Sequence, residues 1–190
     1  MQSLFSSGAS SVPTADTTNE AGKWIDLKGN IEISGCYARN EASNFPMTNL
    51  FIGDSTLGCK SDADEQLILH ISFQEFVKVH SIKFIEFNQG INPEENPSKI
   101  HIYINRENLG FEDCDDVNPE QTLELTAADL KEGADPLPLK YVKFQRVKSL
   151  TLFIEDNAGG DITSLGGIKL FGRTVETTNM KEFKKQQEHG

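Results

Sequence analysis

No stretch of the sequence approaches the run of roughly 18 apolar residues that a membrane-spanning helix needs. Residues 1–20 contain no Lys or Arg, which leaves no room there for the basic start of a signal peptide or the arginines of a transit peptide. These absences predict a cytoplasmic chain, with the nucleus also accessible. Basic residues are scarce throughout: 18 Lys and Arg stand against 29 Asp and Glu, a net charge of −11. Nucleic-acid binding draws on dense positive charge to release counterions, and anionic membranes attract polybasic segments. The composition therefore argues against both partners and is compatible with a basic patch on a protein partner.

Cysteine is sparse as well. Cys36, Cys59 and Cys114 form an odd set with no C-x-x-C spacing, so neither a secreted disulfide framework nor a thioredoxin-type redox pair is expected. Three free thiols in a reducing compartment are the plainer reading. No N-x-[ST] glycosylation acceptor occurs.

What is present is a series of short strand patterns. Leu67, Leu69, Ile71 and Phe73 alternate along one segment, and Ile100, Ile102 and Ile104 along another. From Val77 to Phe87 the alternation slips: Val77 and Val79 share one phase, Ile82 and Phe84 the other. A bulge near His80-Ser81, or a strand bending between sheets, accounts for that slip. Tyr141–Gln145, Leu150–Ile154 and Ile168–Gly172 complete the main set, with Ile31–Ile33 and Thr122–Leu125 as shorter candidates. Gly, Pro and Asn turns separate them, as in an all-β sandwich or barrel. Helix signals are few. Thr126-Ala127-Ala128-Asp129 has the spacing of a capping box, and Asn179–Phe183 has that of a short C-terminal helix. Three parts are expected: a disordered segment over 1–20, a β-sandwich over 21–178, and a short helix with a flexible tail over 179–190.

Catalytic and metal-binding patterns do not assemble. His70, His80 and His101 lie in strand segments, with His70 and His101 facing away from the apolar stripes and expected in solvent. They lack the short-spaced ligand pair usual for zinc. The acidic runs 62–65 and 112–116 do not follow an EF-hand loop and read as solvated loops, though a structural calcium at such a loop stays open. No G-x-S-x-G or phosphate loop occurs. The sequence predicts no enzyme, no cofactor and no metal. Trp24 lies in an apolar strand segment and is expected in the core. Phe45 and Phe51, with Met47 beside them, sit in a polar segment; packing is the plainer role, and exposure would make them a partner surface. A second candidate surface is the tail, with Phe183, Lys184, Lys185 and His189.

Several segments taken together resemble the PITH domain family. They are Asp64–Ile68, Val79–Phe84, Lys99–Asn105, Leu123–Thr126, Leu139–Gln145 leading through Val147 to Ser149–Ile154, Phe171-Gly172, Thr178–Met180 and Phe183-Lys184. The resemblance runs from about Trp24 to Lys184. It implies a jelly-roll β-sandwich similar to galactose-binding-like domains, and association with the proteasome, the property that gave the family its name. No thioredoxin domain is expected ahead of the module here, so the disulfide chemistry of longer relatives is not carried over. The resulting expectation is a monomeric, non-enzymatic protein-interaction module docking on proteasome subunits or the regulatory particle. The alternative is a β-sandwich that binds a small ligand or carbohydrate.

Overall fold

Apolar residues at every second position bury one face only if the strand pairs on both edges and packs against a second sheet. The computed structural model, which describes residues 24–175, meets that demand with ten strands. These are β1 (Ile25–Asp26), β2 (Tyr37–Arg39), β3 (Cys59–Lys60), β4 (Leu67–Ile85), β5 (Pro97–Ile104), β6 (Gln121–Glu124), β7 (Leu137–Pro138), β8 (Val147–Asn157), β9 (Ser164–Leu165) and β10 (Gly167–Thr174). One short helix, α1 (Phe111–Asp116), and several 3-10 turns lie between them. Residues 1–23 and 176–190 lie outside the described part, and with them the expected leader, the 179–183 helix, and Phe183, Lys184, Lys185 and His189.

The organising element is β4, 19 residues long. Its first part pairs with β2 on one edge and β8 on the other, from Leu67↔Ile154 to Ser72↔Ser149. Its second part pairs with β10, and at Ser81 and Ile82 with β7. β8 continues to β5 and β5 to β6, while β10 continues to β1. Every pairing is antiparallel. One strand thus serves two sets, β2-β4-β8-β5-β6 and β1-β10-β4-β7, which close on a common core. β3 and β9 form a separate ladder.

Two irregularities let β4 do this. Between Ser72 and Val77 the register against β8 jumps from Ser149 to Val147, so extra residues on β4 bend it there. Against β10 the partners run Phe171↔Ser81 and then Gly172↔Val79, leaving His80 without an opposite number. The slip read at His80-Ser81 is therefore a bulge. It explains why Val77 and Val79 reach the core together with Ile82 and Phe84 across a change of phase; all four are at most 1% exposed.

Leu69, Ile71, Phe73, Leu150, Leu152, Ile100, Ile102 and Leu170 fill the core between the sheets. A second cluster lies on the outer face of the larger set, where Ile68, Tyr103, Leu109 and Phe153 are covered by Phe111, Cys114 and Val117. The acidic run 112–116 is thus the wet side of α1 rather than a loop, its acids exposed while Phe111 and Cys114 pack inward.

Other segments differ from expectation. Tyr141–Gln145 is not a strand: Tyr141–Lys143 forms a 3-10 turn in which the N–H of Phe144 donates to the carbonyl of Tyr141. The turn drops Phe144 into the core and leaves Val142 84% exposed, a division that alternation cannot reveal. Ile31 makes a single bridge to Phe73, and Ile33–Gly35 is a 3-10 turn. The capping box forms as read, with the Thr126 N–H and hydroxyl both donating to Asp129 Oδ2, and it opens the turn Ala127–Leu130.

Candidate interaction surface

Among the described residues the histidines do not gather. Along the cross-strand row His70↔Thr151↔Tyr103 an intervening strand separates β4 from β5, and His101 sits two pairs away, opposite Phe153. His70 is buried rather than solvent-facing: Tyr37 stacks on it with centroids 4.6 Å apart, and its Nδ1 is 3.0 Å from the Thr151 hydroxyl. Burial, with Arg39 in the same sense and Glu107 opposing, holds its pKa below the ordinary imidazole value. His101 lies 3.4 Å from Glu155, which also receives Lys99 at 3.1 Å. Among the described residues, no three His, Cys, Asp or Glu groups converge to hold a metal.

The cysteines are likewise separate and free. Burial raises all three thiols, Cys59 to about 12 with Glu41 adding to the effect, so thiolate nucleophiles are disfavoured.

The segment 44–51 packs inward. Met47 and Phe51 are 2% and 6% exposed within the core, so neither offers a free surface. Half-buried Phe45 meets Phe87 edge-on at 6.0 Å, with the Lys60 ammonium 4.9 Å from each ring centroid. The segment's apolar residues are needed to close the end of the sandwich where Gly58 lies against Phe87. Leu50 and Phe51 also line a cleft of about 150 Å³, with Ile31, Ile85 and Ile168 beside them and Asp26, Lys28, Glu132 and Lys169 among its polar residues.

The exposed aromatic surface lies elsewhere, on the outer face of the β1-β10-β4-β7 set. Trp24, expected in the core, is half-buried there and stacks on His80 with centroids 4.4 Å apart and planes 19° apart. Tyr141 meets the indole edge-on at 5.3 Å, and the Arg173 guanidinium lies 5.2 Å from its centroid. The bulge creates this stack. Two successive residues, His80 and Ser81, turn away from the core, and the carbonyl of His80 accepts the N–H of Leu139, which brings the 139–144 segment alongside. The Nδ1 atom of His80 is buried and has no hydrogen-bond partner among the described residues.

The same face is cationic. Lys78 and Arg173 are direct cross-strand partners, a like-charge pair that costs a sheet stability. Arg146 lies over Phe76 at 4.1 Å. Lys140 precedes Tyr141 and is exposed, while the Lys143 ammonium donates to the carbonyl of Glu120. From residue 137 to residue 154 the chain carries Lys140, Lys143, Arg146 and Lys148 and no carboxylate. Among the described residues, none of Lys78, Lys140, Lys143, Arg146 and Arg173 forms an ion pair. Sequence reading missed this surface because its members come from four separate segments. The one available signal was the acid-free basic run 140–148.

Comparison with known proteins places the chain in a family. The PITH domain model matches residues 17–189. The chain is 33% identical over 85% of its length to Thioredoxin-like protein 1 of Schizosaccharomyces pombe, covering 56% of that protein. It is 33% identical over 62% of its length to the PITH domain-containing protein CG6153 of Drosophila melanogaster, and 32% identical over the same share to PITH domain-containing protein 1 of Homo sapiens, covering 52% of each. The chain thus spans about half the length of these curated relatives. Among solved structures it is similar to CBM32-3 from a family 31 glycoside hydrolase of Clostridium perfringens, with a TM-score of 0.56 and 16% identity over 80% of this chain and 97% of that one. It is also similar to the CBM32-1 and CBM32-2 domains of Clostridium perfringens ZmpB in complex with GalNAc, with a TM-score of 0.60 and 13% identity over 88% of this chain and 40% of that one. At such identities the likeness concerns the fold, a galactose-binding-like β-sandwich. The match across nearly the whole sequence, together with this sandwich, makes the chain a member of the PITH domain family.

Proposed function

We propose that this domain is a non-enzymatic interaction module that docks on the proteasome, at its regulatory particle, as an adaptor or regulator. It would act as a monomer in the cytoplasm and nucleus. Family membership and the galactose-binding-like sandwich fit a protein-interaction module, and the association with the proteasome that the family resemblance implies supports this choice of partner. One observation carries the reading: the face holding Trp24, Tyr141 and exposed Val142 keeps the opposed Lys78 and Arg173 without a neutralising carboxylate among the described residues. Trp, Tyr and Arg are the residue types that most often dominate binding energy at protein interfaces. A fold that tolerates a repulsive pair beside them gains from it on contact with a partner.

The test is affinity purification of the tagged full chain from cell extract in mild salt. Regulatory-particle subunits are expected with the wild type and are expected to be lost with Tyr141→Ala/Val142→Glu. A folded wild-type bait that recovers none of those subunits overturns the reading.

A second reading is supported by the cleft beside β10, whose apolar floor and charged rim suit a small amphiphilic ligand such as a sugar. The solved GalNAc complex of a similar sandwich points the same way. Phe51, the aromatic ring in that lining, is 6% exposed and offers little stacking platform. Calorimetry with galactose and GalNAc decides: heat that saturates and vanishes in Lys169→Glu supports it, and no heat at millimolar sugar removes it.

A further inference from the structure

We infer that the Trp24–His80–Tyr141–Arg173 face is a receptor for an extended acidic segment of a partner protein. This inference rests on the interaction-module reading and adds the chemistry of the occupant.

Charge is the first argument. The chain carries a net charge of −11, yet Lys78 and Arg173 are paired across the β4–β10 ladder, Arg146 lies over Phe76 two residues from Lys78, and Lys140 is the chain neighbour of Tyr141. Such a patch holds a local positive potential that screening confines to about 8 Å at physiological ionic strength. A short acidic peptide laid across the patch keeps its carboxylates within that distance of the cations. A long polyanion does not, because beyond the patch it runs onto a domain that is acidic elsewhere, as at α1 and the 62–65 run. Nucleic acid and an anionic membrane, both extended, are disfavoured for this reason.

Placement is the second argument. Lys78 and Arg173 are opposed across the β4–β10 ladder, a like-charge cross-strand pair. Arg173 also lies against the indole of Trp24, and Arg146 lies against Phe76. Guanidinium groups placed over aromatic rings keep donors free for bidentate contact with carboxylates. Beside them the exposed Val142 and the half-buried rings of Trp24 and Tyr141 supply apolar area for the residues between the acids. Among the described residues, no acid pairs with these cations: Asp26 accepts the N–H of Lys28, and Glu75, at the bend of β4, forms no ion pair.

The experiment uses the full chain and a fluorescein-labelled peptide of about eight residues, alternating Glu or Asp with Leu and roughly 26 Å when extended. Its Gln/Asn counterpart, a single-stranded oligonucleotide and phosphatidylserine vesicles serve as competing probes. Anisotropy is expected to show binding of the acidic peptide that weakens steeply from about 50 mM to about 500 mM salt, with the neutral counterpart bound at least about tenfold more weakly. Lys78→Glu is expected to weaken the peptide about tenfold while leaving the melting temperature unchanged or higher, because it converts the repulsive pair with Arg173 into an attractive one. Lys99→Glu, on the other set of strands, is expected to change peptide affinity less than about twofold.

Four results overturn the inference: no peptide binding at low salt, as when the chain's own terminal segments fill the face; equal binding of the neutral peptide; preference for the oligonucleotide or the vesicles; or self-association of the chain that Lys78→Glu abolishes. Peptide failure alongside wild-type recovery of regulatory-particle subunits sinks this inference and leaves the interaction-module reading standing. Loss of those subunits from the wild type sinks the latter.

Discussion

Replacing Gly172 by Ala tests whether the bulge holds both the sandwich and the proposed face together. Gly172 sits on β10 opposite Val79, beside the unpaired His80. A Cβ there would lie 1.8 Å from the carbonyl oxygen of Lys78 and 3.1 Å from Leu27 Cδ1. An ordinary carbon–oxygen contact needs about 3.3 Å. The two strands would have to part by roughly 1.5 Å, about a third of the normal interstrand spacing of about 4.8 Å. No side-chain rotamer relieves this, because the obstructing atom is backbone. The pairs most exposed to the separation are Gly172↔Val79, Arg173↔Lys78 and Thr174↔Val77, together with Ile25↔Gly172 on the far edge. Three consecutive antiparallel pairs hold about two to four ladder hydrogen bonds. At about 1 kcal/mol each, their loss costs about 2–4 kcal/mol.

Urea unfolding measures this directly. With a slope of about 2 kcal/mol/M, the midpoint should fall by about 1–2 M. Circular dichroism reports the whole sandwich, while the fluorescence of Trp24, the single tryptophan, reports the face. Gly133→Ala is the control: no atom lies within 4 Å of where its Cβ would stand and its backbone is not left-handed, so it should be neutral or gain up to about 1 kcal/mol. A Gly172→Ala midpoint within about 0.2 M of wild type would refute the close approach, and with it the bulge as the cause of the surface stack.

The buried His70 predicts an acid-side loss of stability. Burial, first, and the nearby Arg39 hold its folded pKa below 6.5, so the unfolded chain binds a proton that the folded one resists. Its contribution is complete above pH 6.5 and is lost as the pH falls from there towards the depressed folded value; the stability difference between pH 7.5 and 5.5 should therefore shrink in His70→Gln, measured by urea unfolding. For Cys59, a thiol pushed up to about 12 within a fully buried position predicts that native protein resists alkylation there at pH 8, whereas unfolded protein reacts at all three cysteines. Mass spectrometry of iodoacetamide adducts checks this, and fast native labelling of Cys59 would contradict the packing.

The fold was legible where alternation is strict. Leu67 to Phe73 and Ile100 to Ile104 put their apolar residues where the core lies, and the phase change at His80 could be read as a bulge because Val77–Val79 and Ile82–Phe84 constrain it from both sides. Alternation failed where burial comes on two faces or where a turn imitates it. His70 looked solvent-facing because its strand neighbours of opposite phase are apolar, yet the face it occupies is roofed by Tyr37 and, further along, by α1. Tyr141–Gln145 looked like a strand because Val142 and Phe144 are both apolar; only tertiary contact decides that Phe144 goes in and Val142 stays out. Met47 and Phe51 were ambiguous for the same reason, and packing claimed them.

The surface was the least legible part, and its origin explains why. A bulge adds one residue to one strand and turns two consecutive side chains outward, so it alters the environment of residues remote in sequence. Here it sets His80 under Trp24 from one end of the chain, draws in Tyr141 from further along, and lies beside Arg173 at the other end. None of these residues is unusual in its own segment. The glycine that permits the approach, Gly172, contributes no side chain to the face, yet without it the Lys78 carbonyl has nowhere to go. A defect in strand pairing, rather than any motif, thus assembles the aromatic and cationic groups.

The core fixes that defect. With this sequence, regular pairing along β4 would turn either Val77 and Val79 or Ile82 and Phe84 to solvent, although all four are buried. Deleting His80 removes the conflict, because the four residues then alternate without a break and can face the core in one phase. The indole of Trp24 loses the ring it stacks on, and the 139–144 segment loses the carbonyl that accepts the Leu139 N–H. The deletion variant should therefore keep a single cooperative urea transition while the Trp24 emission shifts to the red. Unchanged emission would mean that the indole does not depend on the bulge. Loss of the cooperative transition would mean that the bulge serves the core as well as the surface.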